Sequence, residues 1–161
     1  MFRYSALMET EVTKALEAAG VTFEVRKHSV PVFTCETAAA ERGVRVAQIV
    51  KCMVGRSPEG QLFAMLIPGD RLLKLKKARK HAGMGIDLVS PDELAGNLGL
   101  TVGAISPVQL VEHARILMDP TVMDEEVVDI SSGDPLAGIE LRSQALCDLL
   151  QAEVTEIIST S

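Results

Sequence analysis

Apolar positions along this chain change their spacing several times, and each change predicts an element. Between Thr10 and Ala19, the residues Val12, Ala15, Leu16 and Ala19 fall on one helical stripe, and Gly20 is a suitable stop. Val21 to Arg26 reads as a short strand, broken by His28-Ser29-Val30-Pro31. Thr34 is a good N-cap with Glu36 in the first turn, so a second helix is predicted through Ala38-Ala39-Ala40 to near Gly43. Residues 48–55 and 61–67 are predominantly apolar, and Ser57-Pro58-Glu59-Gly60 between them suits a type I turn, so the two are expected to pair as a hairpin.

After Pro68-Gly69-Asp70 a helix is predicted from Arg71 to Ala82. Leu72, Leu75, Ala78 and Ala82 form its buried arc, with Lys74, Lys77 and His81 projecting opposite. Ile86 to Val89 is the next strand. Ser90-Pro91-Asp92-Glu93 then has a capping-box arrangement with proline at the first helical position, and its helix ends at Gly99. Gly99 to Pro107 is a glycine-punctuated loop. Strands follow at Ala114–Met118, Val127–Ile130 and Gly138–Leu141; Ser143 caps a last helix to Leu150, and Val154–Ile158 is a final strand. About eight strands among four or five helices, with hairpins mixed with helical crossovers, predict an α+β protein. Its mixed sheet is expected to curl into a barrel-like core surrounded by helices. No repeat, linker or low-complexity tract divides residues 1–161, so one domain is expected.

Composition narrows the function. With 47% hydrophobic and 24% charged residues, the chain suits a globular protein. No apolar run reaches the roughly 18 residues of a membrane span. Met1-Phe2-Arg3-Tyr4-Ser5 lacks a long apolar signal core, so a cytoplasmic address is expected. Cys35, Cys52 and Cys147 are odd in number and widely spaced, which suggests neither a disulfide framework nor a zinc site. A net charge of −6 argues against broad wrapping of nucleic acid, and DNA is not an expected partner. Yet six of the 16 Lys and Arg residues lie between Arg71 and Lys80, so the basic charge is concentrated.

Lys51 stands in the first strand of the hairpin. Alternation puts Ile49, Lys51 and Met53 on one face and Val50, Cys52 and Val54 on the other, so neither face is polar. Such a lysine either snorkels past the apolar rim or ends in a cleft, where partial desolvation strengthens its attraction for an anionic or carbonyl ligand. The Gly99–Pro107 loop is either a tight connection or a cradle whose N–H groups hold an oxyanion. It lacks the lysine and Ser/Thr of a GxxxxGK[ST] phosphate loop. Asp119, at a strand end before proline, reads as a turn opener or a site residue. Cys52 faces away from Lys51 and reads as a core residue. Cys35 is near a helix N-terminus, which favours a thiolate, but has no accompanying base. His28, His81 and His113 lack metal-type spacing, and no nucleophile motif appears. The basic helix is either a solvated surface or a contact for the phosphates of an RNA end.

Several of these pieces occur in a recognisable order. They are Pro31-Val32-Phe33-Thr34-Cys35-Glu36-Thr37-Ala38-Ala39, Gln48-Ile49-Val50-Lys51, Leu66-Ile67-Pro68-Gly69-Asp70, Gly103-Ala104-Ile105-Ser106-Pro107, Leu117-Met118-Asp119, and Ser132-Gly133 through Gly138-Ile139-Glu140-Leu141. No single piece is specific, but the ordered set, from Glu9 to Ile158, resembles the YbaK/prolyl-tRNA-synthetase editing-domain family.

The resemblance implies removal of a wrongly attached small amino acid, cysteine or alanine, from the 3′ end of proline tRNA. It implies no cofactor. The implied partners are the acceptor end of aminoacyl-tRNA and prolyl-tRNA synthetase. Lys51 would be the key site residue, holding the terminal phosphate or polarising the ester carbonyl, with N–H groups of Gly103, Ala104 and Ile105 receiving the oxyanion. Phe33, Thr34, Ile105, Ser106 and Pro107 would wall a small side-chain pocket, and Asp119 would orient the substrate amine or water. Lys74, Lys77 and Lys80 are the expected tRNA contacts. Attack would come from water or, for cysteine, from the substrate's own thiol. Three departures stand out. Cys52 replaces a frequent hydroxyl residue and Gln109 a frequent glycine. No histidine occurs between Gly133 and Leu141, which points to the free-standing branch. The alternatives are a non-catalytic tRNA- or synthetase-binding module on the same fold, or a small-molecule hydrolase using a Lys51 Schiff base.

Overall fold

The computed structural model describes residues 9–160; the stretch Met1-Phe2-Arg3-Tyr4-Ser5 lies outside them. The elements in order are α1 (Glu11–Ala18), β1 (Phe23–Lys27), α2 (Cys35–Arg42), β2 (Val50–Arg56), β3 (Leu62–Pro68), α3 (Leu75–Ala82), β4 (Asp87–Leu88), α4 (Pro91–Gly96), β5 (Ala114–Met118), β6 (Val127–Ser131), β7 (Ala137–Arg142), α5 (Ser143–Leu150) and β8 (Glu153–Val154). Local chemistry starts three of the helices. Thr10 and Thr34 form reciprocal capping boxes with Thr13 and Thr37, and the Ser90 hydroxyl accepts from the Glu93 N–H ahead of Pro91.

The strands form two open sheets rather than one closed barrel. The smaller has the order β1-β7-β6, antiparallel throughout; the larger has the order β4-β2-β3-β5-β8. In the larger, β2 pairs antiparallel with β3 and β4, while β3–β5 and β5–β8 are parallel. One bridge, Ile49 to Asp129, joins the sheets beside the start of β2.

The main core lies between the sheets. Val50, Val54, Leu66, Ile116 and Met118 from the larger meet Val128, Ile130, Ile139 and Leu141 from the smaller. A second core on the other face of the large sheet packs Phe63, Met65, Ile67 and Leu117 against Ala78, Ile86 and Ile157. Strand β3 is therefore buried on both faces, which is why its sequence is an unbroken apolar run rather than an alternating one. A third, smaller cluster sets Val32, Ala38 and Ala39 against Ile49 and positions α2 over the bridge.

Several boundaries differ from the sequence reading. The basic helix starts at Leu75, not Arg71, and Leu72 is 72% exposed instead of lying on a buried arc. The C-terminal segment holds Leu72–Lys74 out of the helix. The Lys74 N–H donates to Ile157 O (2.7 Å), the Ser159 N–H donates to Leu72 O (2.8 Å), and Leu73 bridges Ile158. The same pairing splits the expected strand Val154–Ile158. Helix α4 ends at Gly96, short of Gly99. Ser143 is the first helical residue rather than the cap, and its hydroxyl donates to Glu125 O (2.6 Å). Among the described residues no helix is long and apolar enough to cross a membrane.

Candidate active site

A cavity of about 380 Å³ opens where α2, the first residues of β2, the 102–105 loop and the β6–β7 turn converge. It brings together Phe33, Thr34, Lys51, Gly103, Ala104 and Ile105, and adds Cys35, Arg42, Ser131 and Asp134. Phe33 is half exposed at 51%. Thr34 is committed to capping, its Oγ1 accepting the Thr37 N–H (3.1 Å).

Lys51 is partly buried, and its Nζ donates to Arg71 O (2.9 Å). An ammonium has three donors, so two N–H groups remain for a ligand. The 103–105 loop lies against Phe33. Gly103 has φ +85°, and a Cβ there would come within 2.9 Å of both Phe33 Cβ and Phe33 O, so both backbone conformation and space require glycine. Of the three N–H groups expected to receive an oxyanion, one is already engaged. The Ala104 N–H donates to Thr101 O (2.9 Å), whereas the Gly103 and Ile105 N–H groups have no partner among the described residues.

Other predicted residues fall elsewhere. Ser106 and Pro107 lie behind the loop, not on the cavity wall; both are buried, and Pro107 opens a 3₁₀ turn, Pro107–Leu110. Gln109 is also off the wall. It accepts the Ser106 N–H (2.9 Å) and donates to Glu11 (2.9 Å), tying the loop to α1. Asp119 is not free to orient a substrate. Its carboxylate accepts from Thr121 N (2.9 Å), Thr121 Oγ1 (2.6 Å), Ile157 N (2.8 Å) and Ile158 N (3.1 Å), and so anchors the C-terminal segment. Burial alone would raise the Asp119 pKa; these hydrogen bonds outweigh it and hold the group below the usual range. The three predicted RNA-contacting lysines are not equivalent. Lys77 donates to Ile158 O (2.9 Å), while Lys74 and Lys80 are exposed.

The thiols are neutral. Burial pushes Cys52 up to about 12. At Cys35 burial also raises the thiol, and the opposing charge of Lys51 does not overcome it, so the helix N-terminus yields no thiolate. Among the described residues no group of three His, Cys, Asp or Glu side chains could hold a metal ion.

The sequence reading missed a cluster at one end of the cavity. Arg42 lies over Gly138, and its Nε donates to His28 Nε2 (3.2 Å). Asp129, which interacts with the Arg42 charge, is fully buried with neither carboxylate oxygen hydrogen-bonded. Burial raises Asp129 to about 7, against the pull of Arg42 and Arg26. Two signals were present: Cys35, Ala38 and Arg42 share a helix face at i, i+3 and i+7, and a glycine inside strand β7 marks close approach by another group.

Comparison with known proteins identifies the family and the fold. The family model "Aminoacyl-tRNA editing domain" matches residues 29–149. The chain is 30% identical over 124 residues, 75% of its length, to a proline–tRNA ligase of Streptococcus sanguinis (strain SK36), and spans only 20% of that ligase. Two crystal structures share the fold. The hypothetical protein APE2540 has a TM-score of 0.87 at 26% identity, covering 93% of this chain and 100% of that one. A protein described as a candidate trans-editing enzyme for prolyl-tRNA synthetase has a TM-score of 0.81 at 24% identity, covering 94% and 99%. The chain belongs to the aminoacyl-tRNA editing domain family.

Proposed function

We propose that the chain is an aminoacyl-tRNA deacylase acting in trans, and that it clears cysteine or alanine from proline tRNA. One observation carries the reading: Lys51, with ammonium donors to spare, and Gly103 and Ile105, whose N–H groups have no partner among the described residues, line one cavity. Similarity to a proline–tRNA ligase supports the choice of tRNA, and prolyl-tRNA synthetase is the partner this suggests. The late loop's lack of histidine supports the free-standing branch.

An aminoacyl ester is already activated, so positioned charge suffices. In the proposed reaction the ester carbonyl oxygen lies toward the Gly103 and Ile105 N–H groups and the charge of Lys51. Water, or the thiol of a cysteinyl substrate, adds to the carbonyl carbon. The oxyanion that forms is held by these donors. The ester C–O bond then breaks, and the ribose oxygen leaves with the attacking group's proton. Phe33, Thr34 and Ile105 wall the amino-acid end, and Lys74 and Lys80 meet the RNA backbone.

The test incubates the protein with cysteinyl-, alanyl- and seryl-tRNA and follows ester loss. Lys51→Ala is expected to lower kcat/KM by about a hundredfold, the usual effect of removing one transition-state donor. Equal rates for Lys51→Ala and wild type on every substrate would remove Lys51 from the mechanism. Binding without any cleavage would instead identify a non-catalytic module.

A further inference from the structure

The cavity holds a second cation that the proposed hydrolysis leaves unused. Arg42 is on the last turn of α2, on the helix face it shares with Cys35 and Ala38, and all three line the cavity. Its guanidinium is located from three sides. It fills the space above Gly138, where a Cβ would overlap it. Its Nε–H is taken by His28 Nε2 (3.2 Å); that nitrogen accepts, so the His28 proton is on Nδ1, which faces Pro135 O (3.2 Å). The buried Asp129 is near enough to interact with the guanidinium charge and makes no hydrogen bond to it. Nη1 and Nη2 have no hydrogen-bond partner among the described residues, and neither is sealed from solvent.

A guanidinium fixed through Nε and left open at both Nη groups presents the paired donors that suit a two-oxygen anion. Lys51 and Arg42 line the same cavity, and Cys35 lines it with them. A cavity of about 380 Å³ also has more room than a small aminoacyl group fills. We propose that Arg42 binds the phosphodiester joining the last two nucleotides of the tRNA, which leaves Lys51 to the ester. This rests on the deacylase reading and resolves which cation does which work within it.

The test is a chemical double-mutant cycle. Synthetic RNA minihelices ending in the tRNA acceptor sequence are made with a native last linkage or with a neutral methylphosphonate there. Each is measured uncharged, for Kd, and alanylated or cysteinylated, for KM and kcat. Arg42→Ala is expected to raise Kd and KM about ten- to a hundredfold on native RNA, with kcat little changed. Gly138→Ala keeps every charge and, at its tightest contacts, displaces the flexible end of Arg42, so it is expected to give a similar loss while keeping a near-wild-type thermal midpoint. The methylphosphonate should weaken wild type by the same factor and Arg42→Ala no further. If it weakens Arg42→Ala as much as wild type, the assignment is overturned. A loss confined to an aspartyl-charged minihelix would also overturn it, since Arg42 would then read a side-chain carboxylate. Cleavage by wild type with no Arg42–phosphate coupling refutes this inference alone. Coupling without cleavage of any ester refutes only the deacylase reading.

Discussion

Replacing Asp129 by asparagine should stabilise the protein above neutral pH. The carboxyl is fully buried and lacks hydrogen bonds, and burial pushes it up from the ordinary 3.8 to about 7. The cause is first its burial; the nearby charges of Arg42 and Arg26 offset this only in part, and Glu140 adds to it. The folded protein thus holds this proton to higher pH than the unfolded chain does, so ionising Asp129 costs folding free energy. That cost is absent below pH 4, grows as pH rises toward 7 and is complete above it. At about 1.4 kcal/mol per pH unit the full cost is about 4 kcal/mol. Asparagine keeps the shape and cannot ionise. Wild type and Asp129→Asn should therefore diverge by about 2–3 kcal/mol between pH 5 and pH 7. Urea unfolding followed by far-UV circular dichroism measures this without tryptophan, which the chain lacks. The difference between the two curves isolates Asp129 from other titrating groups. A difference that does not change with pH would refute the reasoning, because Asp129 would then have found a partner or reached solvent.

Three further outcomes are expected. Asp119→Ala leaves the buried Ile157 and Ile158 N–H groups without acceptors and should cost about 3 kcal/mol or more in urea unfolding, with faster amide exchange at both positions; wild-type stability with a lowered kcat would restore Asp119 to the substrate. Gly103→Ala forces a side chain into a left-handed conformation against the Phe33 backbone, and should lower kcat for deacylation at least tenfold, a loss that wild-type turnover would contradict. Glu153 is held down to about 2, chiefly by its hydrogen bond from Arg115 and despite burial, with His81 adding to the effect. Its stabilisation is present above its ordinary 4.5 and lost as pH falls toward 2, so Glu153→Gln should be less stable than wild type at pH 7 and match it near pH 2.

What the sequence determined by itself is what neighbours along the chain decide. Thr10, Thr34 and Ser90 cap their helices through atoms three residues away, and Pro58 with Gly60 turns the hairpin, so these elements were legible. The ordered motifs likewise identified the family, and the Lys51 strand and the Gly103 loop do line one cavity. Contacts between distant segments decided the rest. Leu72 to Lys74 have helical spacing, yet pairing with Ile157–Ser159 keeps them out of the helix, because backbone bonds to another segment satisfy the same groups a helix would. Asp119 became an anchor because the same C-terminal segment brings two N–H groups to it. Asp129 is on the opposite sheet face from the core residues Val128 and Ile130 and is nonetheless buried, because Ile49 bridges to it and Arg42 is near it. Period-two alternation tells which sheet face a residue occupies, and only tertiary packing tells whether that face meets water.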